Sequence, residues 1–281
     1  MPAMRSSRRT FLAVTAGAAA APAISWAEPT APPGPAAALK LGLASYSVRK
    51  FTLDQALDMC KEMALRYINL KDVHLPMTDS PEALLTARKK IEAAGLTIMG
   101  GGTITLKNDP AQVRKAFEYA RQAGFPLMVA APEPEAFDVI EKMIQEFGIK
   151  VAIHNHGPED KSFPAPQDAM KKLAGRDKRF GLCMDIGHAT RAGADPVKTV
   201  DECKERLLDL HVKDLKDKTN KDSQTEVGKG VLDIPGLFRA LRKIGFTGHV
   251  GLEYEINADN PLVGMKESFA YMRGVLAAIG G

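Results

Sequence analysis

The chain has 281 residues, 45% of them hydrophobic, with 38 basic and 34 acidic side chains and a formal charge of +4. Arg5, Arg8 and Arg9 account for three of those charges in an N-terminal stretch with no acid, leaving +1 on the remainder; that excludes a general nucleic-acid binder, which needs a strong basic patch to displace counterions. Cys60, Cys183 and Cys203 are odd in number and show no CxxC spacing, which excludes a disulfide framework or a cysteine metal site and leaves three small buried apolar side chains.

Residues 1–27 read as a cleavable export signal. Ser7-Arg8-Arg9-Thr10-Phe11-Leu12 resembles the twin-arginine pattern, with Ala13 where Lys is usual, and Ser25-Trp26-Ala27 offers a small-x-small cleavage site. The apolar run Phe11 to Ala23 is too short and too rich in Ala and Gly to span a membrane. The expected location of the mature protein is therefore periplasmic or extracellular, with no membrane segment. Residues 28–39, rich in Pro and Ala, read as a disordered linker.

From residue 40 to 281 short apolar runs alternate with amphipathic stretches eight times. The predicted strands are Leu41 to Tyr46, Tyr67 to Lys71, Leu96 to Gly101, Pro126 to Ala131, Lys150 to Asn155, Phe180 to Asp185, Leu207 to Val212 and His249 to Tyr254. Near-continuous apolar runs are what parallel strands buried on both faces require. Between them, Leu53 to Ala64, Pro81 to Ala94, Asp109 to Ala123 and Glu135 to Phe147 carry apolar residues at helical spacing. Thr52, Ser80 and Asn108 are placed as N-caps, Pro81 and Pro110 suit a first turn, and Gly95 and Gly124 suit a C-cap. Eight such units of about 30 residues predict a single (β/α)8 barrel. An open doubly wound sheet competes, but no GxGxxG turn follows the first strand. Gly100-Gly101-Gly102 is expected where backbone closely approaches a neighbour or substrate. Asp214 to Lys229, the longest connection, is expected to be a mobile loop over the barrel mouth.

Five of the six histidines stand where a predicted strand ends: His74, His154, His156, His188 and His211. Asp185 and Glu253 occupy equivalent places, whereas His249 begins a strand and is expected to be structural or on the surface. All strand C-termini of a parallel barrel open on one face, so these residues converge, and a metal is what they are expected to converge on.

MDIGH, LHVKD and GLEYE, in that order and spacing, resemble the xylose isomerase-like barrels of the sugar phosphate isomerases and epimerases, relatives of the endonuclease IV fold. The resemblance covers Leu41 to the C-terminus. It implies one divalent metal held by Glu, Asp, His and Glu from strands 5 to 8. Asp185, His211 and Glu253 match three of these ligands, and the strand 5 position is occupied by His154 instead of Glu. Two carboxylates and two neutral imidazoles balance a dication, and the extra imidazole favours Mn, Co, Zn or Fe over Mg.

In the family the strand 5 and strand 8 carboxylates shuttle a proton on opposite sides of the substrate, so one of that pair is missing here. Glu253 is expected to act as both ligand and proton carrier. His154, Glu133 and Glu159 are candidates for the second acid or base, although Glu133 also suits a helix N-terminus and Glu159 a solvated loop. His74, His156 and His188 are candidate sugar-hydroxyl or ligand-supporting residues. Lys213 and Asp214 can reach the mouth, where an ammonium stabilises a developing enolate, and Arg191 offers a fork for a carboxylate or phosphate. The expected function is an exported, divalent-metal-dependent sugar isomerase or epimerase acting by proton abstraction next to a carbonyl of a small carbohydrate. The alternatives are a ketosugar or 3-keto-glycoside lyase working by β-elimination, and a non-catalytic carbohydrate-binding protein.

Overall fold

Eight parallel strands close into a barrel in the computed structural model, which describes residues 39–280. The barrel strands are β1 (Lys40–Ala44), β2 (Tyr67–Leu70), β3 (Thr97–Leu106), β4 (Leu127–Pro132), β5 (Lys150–His154), β6 (Phe180–Asp185), β7 (Leu207–Val212) and β10 (His249–Leu252). Each pairs in parallel with its neighbours, and β1 closes the ring against β10. The expected segment 1–27 and the linker lie outside the described residues, except that Leu39 is buried and belongs to the barrel core. No helix among the described residues is long and apolar enough to cross a membrane.

The helices are α1 (Leu53–Glu62), α2 (Pro81–Ala93), α3 (Pro110–Ala123), α4 (Phe137–Phe147), α5 (Pro166–Leu173), α6 (Ile186–Arg191), α7 (Pro196–Cys203), α8 (Ile234–Lys243) and α9 (Leu262–Ile279). Their starts follow local chemistry. The Thr52 side chain caps α1 by accepting from the Gln55 N–H, and Ser80 caps α2 through Ala83. The cap of α3 is Asp109, not Asn108: its carboxylate accepts from Ala111 and Gln112. Gly124 ends α3 with φ 74°, the left-handed conformation that favours glycine.

One expectation about these segments is borne out and one is corrected. The triple glycine lies inside β3, which continues to Leu106, and a Cβ on Gly100 would come within 2.6 Å of the Leu127 carbonyl oxygen on β4. These glycines therefore let two strands approach. The segment after β7 is not irregular throughout: β8 (Asp214–Leu215) pairs antiparallel with β9 (Gln224–Thr225). Asp214 organises it from within, accepting at Oδ2 from Gly228 and Gly230 and at Oδ1 from Leu232 and Leu215.

Most apolar side chains pack between the strands and the helices, as a two-layer architecture demands. Inside the barrel, Leu127, Val129, Ala152 and Cys183 form a separate apolar layer. The buried Asp209, register partner of Cys183, accepts from the Asn69 amide at 3.3 Å and faces the buried His249 at 3.5 Å, so His249 is structural. All three cysteines are buried and unpaired.

Candidate metal centre and substrate chamber

Four strand ends bring their side chains to one point. In β6 and β7, Asp185 and His211 are direct register partners, and His154 is paired across from Cys183 two residues earlier. His154 Nε2 lies 3.0 Å from His211 Nδ1 and 3.7 Å from Asp185 Oδ2; His211 Nδ1 lies 3.2 Å from Glu253 Oε2. One donor atom from each of these four buried residues falls within 4.8 Å of every other. Donors about 2.1 Å from a tetrahedral cation stand about 3.4 Å apart, so the residues present fit one divalent ion.

Two of the four positions, Asp185 and Glu253, are held from behind, whereas His154 Nδ1 and His211 Nε2 are buried with no hydrogen-bond partner among the described residues. Asn155 clamps Asp185 twice, accepting from its N–H at 2.9 Å and donating to its carbonyl at 3.1 Å. Asp185 Oδ1 accepts from the His188 N–H as the N-cap of α6, which leaves Oδ2 for the centre. The Ser47 hydroxyl accepts from the Tyr254 N–H at 2.9 Å and lies 2.8 Å from the Ala44 carbonyl and 3.1 Å from that of Leu252, tying the chain beside Glu253 to the end of β1. Gln224 donates to the Glu253 carbonyl and accepts from the Glu255 N–H, while Arg49 donates to the Glu255 carbonyl. Such supporting hydrogen bonds orient metal-binding side chains.

Lys213 enters this cluster from beside His211. Its ammonium is 3.0 Å from both Asp185 Oδ2 and Glu253 Oε2 and 2.5 Å from Glu255 Oε2. Three carboxylates and one ammonium leave a charge of −2, the balance a dication requires, although neither Lys213 nor Glu255 entered the charge balance drawn from the sequence. Burial works against the Lys213 charge, but Asp185, Glu253 and Glu255 hold it well above the usual lysine range. Burial likewise disfavours ionised Glu253, and His211 and Lys213 outweigh it, keeping the carboxyl well below its usual range. Burial, with His211 and His156 beside it, drives His154 well below the ordinary imidazole value. For His211 burial is outweighed by the Glu253 carboxylate 3.2 Å away, which raises it well above. Of two imidazoles in contact, His211 is thus the one whose surroundings favour the proton.

Above the centre is a chamber of about 230 Å³ lined by Tyr46, Lys71, Thr103, His154, His156, His188, Glu253 and Glu255. His156 and His188 stand where expected, with ring centroids 4.4 and 6.0 Å from that of His154. Arg191 does not present a free fork: its guanidinium pairs with Glu159 and lies 3.3 Å from His188 Nδ1. Glu159 is thereby engaged at the rim. Glu133 is exposed and its Oε2 accepts from the Asn108 N–H at 2.7 Å, so its carboxylate serves a turn. His74 is buried away from the chamber wall, its Nδ1 2.9 Å from the Ser45 hydroxyl. Asp214 is committed to four backbone amides, as described above, and is also absent from that wall.

Tyr46, Lys71, Thr103 and Glu255 were not anticipated as site residues. For Glu255 a signal existed: His154 and His156, His211 and Lys213, and Glu253 and Glu255 are all i, i+2 pairs, and residues two apart along an extended chain share a face. Tyr46 and Lys71 closely follow β1 and β2 and Thr103 lies within β3, and none of the three belongs to the His, Asp and Glu pattern that marks the other strand ends.

A family model described as xylose isomerase-like TIM barrel matches residues 52–275. No curated protein matches the sequence. Solved structures share the fold at low identity. One is a 3-keto-D-glucoside 4-epimerase from E. coli, with 16% identity and TM-score 0.65, covering 84% of this chain and 99% of that one. A probable 3-DHS dehydratase from Bacillus anthracis has 13% identity and TM-score 0.69, again covering 84% and 99%. The IOLI protein with a binding zinc atom has 16% identity and TM-score 0.71, covering 85% and 99%.

Proposed function

The chain belongs to the family of xylose isomerase-like TIM barrels, and from that premise we propose that it is a divalent-metal-dependent sugar isomerase or epimerase that removes a proton from the carbon next to a carbonyl. The observation that carries this reading is the convergence of His154, Asp185, His211 and Glu253 directly beneath a chamber lined with polar side chains. These four residues would hold the cation, and with half of the donors imidazole, Mn, Co, Zn or Fe is favoured over Mg. When bound, such an ion polarises a sugar carbonyl as a Lewis acid.

The remaining chemistry belongs to the chain. Glu253 is ionised, lines the chamber and carries the proton. Glu255 supplies a second carboxylate in the same chamber, the place in the reaction for which Glu133 and Glu159 had been candidates. His156 and His188 face substrate hydroxyls, and Tyr46 offers a ring over which a sugar can lie. Lys71 is held by the Thr103 carbonyl at 2.9 Å and offers its remaining N–H groups to oxygen atoms in the chamber.

A second reading uses the same proton abstraction and then expels a substituent by β-elimination from a ketosugar or 3-keto-glycoside. It is favoured by His154 standing where strand 5 of the family carries Glu. The epimerase and the dehydratase of the same fold are compatible with the two readings respectively. Export is proposed from the twin-arginine-like segment Ser7 to Leu12 alone, and cell fractionation with that segment intact and with Arg8 and Arg9 replaced by Lys tests it.

Incubating metal-replete protein in D2O with simple ketoses and with 3-keto-glucosides separates the readings. Isomerase or epimerase action incorporates deuterium and retains the substituent, whereas the lyase releases it. No deuterium uptake by protein carrying one metal ion per chain would leave a carbohydrate-binding protein, in which Glu253→Gln keeps ligand affinity.

A further inference from the structure

Adjoining the chamber above the metal centre is a second cavity of about 420 Å³, and the two share His188 and Glu255 in their walls. The first chamber, at about 230 Å³, has room for a single sugar ring and lies below the roughly 300–1,000 Å³ usual for ligand pockets; joined to its neighbour it falls within that range. Ile256 directly follows the shared Glu255, and Leu215 and Gln224 come from the β8–β9 hairpin. The second cavity is therefore built by elements that also position Glu253 and Glu255.

Its walls suit a hydroxylated ring. Leu215 and Ile256 give an apolar surface, and Arg49 and Arg191 give donors. Arg49 is rigidly placed, donating to the Tyr46 and Glu255 carbonyls with its guanidinium 4.5 Å from the centre of the Tyr46 ring. The Arg191 side chain is only 6% exposed, and its Nε–H has no partner among the described residues. Most of the wall's cations are already neutralised: Lys213 by three carboxylates, Arg191 by Glu159 and Lys221 by Asp222. That pattern does not select a phosphate or a carboxylate; it selects neutral hydroxyls against an apolar face.

We propose that the second cavity is a subsite for a neutral sugar ring glycosidically linked to the ring that reacts, so that the enzyme takes a disaccharide-sized glycoside in preference to a free monosaccharide. The inference rests on the sugar reading above, and the linkage would cross the shared wall at His188 and Glu255.

Saturation-transfer NMR on the metal-replete full chain tests it with cellobiose, maltose and trehalose against glucose. At least one disaccharide is expected to show saturation of both rings and to bind more tightly than glucose. Ile256→Trp, at a half-buried position, fills the cavity and is expected to lower the disaccharide-to-glucose affinity ratio by about tenfold. Saturation confined to one ring in all three disaccharides would overturn the proposal, as would an unchanged ratio in the folded variant. Two-ring saturation without deuterium uptake from any ketosugar would keep the subsite and remove the proton-abstraction reading. Deuterium uptake with one-ring saturation would do the reverse.

Discussion

Gly187 leaves the space that Lys213 fills: a Cβ at Gly187 would come within 2.6 Å of Lys213 Cγ and 2.8 Å of its Cδ. These are atoms in the middle of a buried side chain whose far end is gripped by Asp185, Glu253 and Glu255, so the chain has little freedom to step aside. Gly187→Ala is expected to cost about 1–3 kcal/mol, the usual range for overpacking a tight interior, and to weaken divalent-metal binding because the displaced ammonium disturbs two ligand oxygens. Denaturant unfolding together with metal titration checks both; a variant as stable as the parent with unchanged metal affinity would show that Lys213 has another place to go.

Lys213 also predicts how metal and stability are coupled. Lys213→Met leaves three neighbouring carboxylates without their ammonium, and an uncompensated buried charge costs about 3–5 kcal/mol. A dication replaces the lost positive charge. Thermal unfolding with EDTA and with Mn or Zn should therefore show a larger metal-induced rise in Tm for the variant than for the parent. Equal increments would mean that Lys213 and the cation do not share Asp185 and Glu253.

The proton on His211 sets the pH dependence of metal binding. His211 must lose it before Nδ1 can act as a ligand, and the Glu253 carboxylate 3.2 Å away holds it there above the ordinary imidazole value against the effect of burial. His154 is already neutral and Glu253 already ionised in that range, so one proton leaves per metal bound. Affinity is expected to rise about tenfold per pH unit through pH 6.5 and to level off above the His211 value. Calorimetry in buffers of different ionisation enthalpy counts the protons; a count of two or of zero contradicts this assignment.

The thiols are expected to be silent in the folded protein. Burial pushes Cys60, Cys183 and Cys203 up to about 12, so almost no thiolate exists at neutral pH. A chromogenic disulfide reagent should find no reactive thiol in native protein and three after unfolding. Rapid native labelling of any one of them would contradict its burial.

The fold was legible because parallel strands covered on both faces must be apolar along their length, and every predicted barrel strand lies within a few residues of an observed one. The centre was legible because strand ends are where a barrel displays its chemistry, and His154, Asp185, His211 and Glu253 are strand-end residues. What the sequence concealed is the partner each carboxylate finds. Glu133, Asp214 and Glu253 are all acids at strand ends, yet Glu133 serves a turn amide and Asp214 a set of loop amides, while Glu253 faces His211 and Lys213. Such assignments depend on backbone N–H groups that carry no residue-type signature. His74 differs similarly, since Ser45 binds it away from the chamber. The short α6 was not anticipated either, because its start depends on the second role of Asp185 as a cap.

Gln224 sits on the β8–β9 hairpin and is bonded through its two amide atoms to the backbone of Glu253 and of Glu255. The hairpin is therefore not a free flap over the mouth. An outward swing would either break both bonds or drag the two acids off their stations, so uncovering the barrel and dispersing the acid cluster are a single motion.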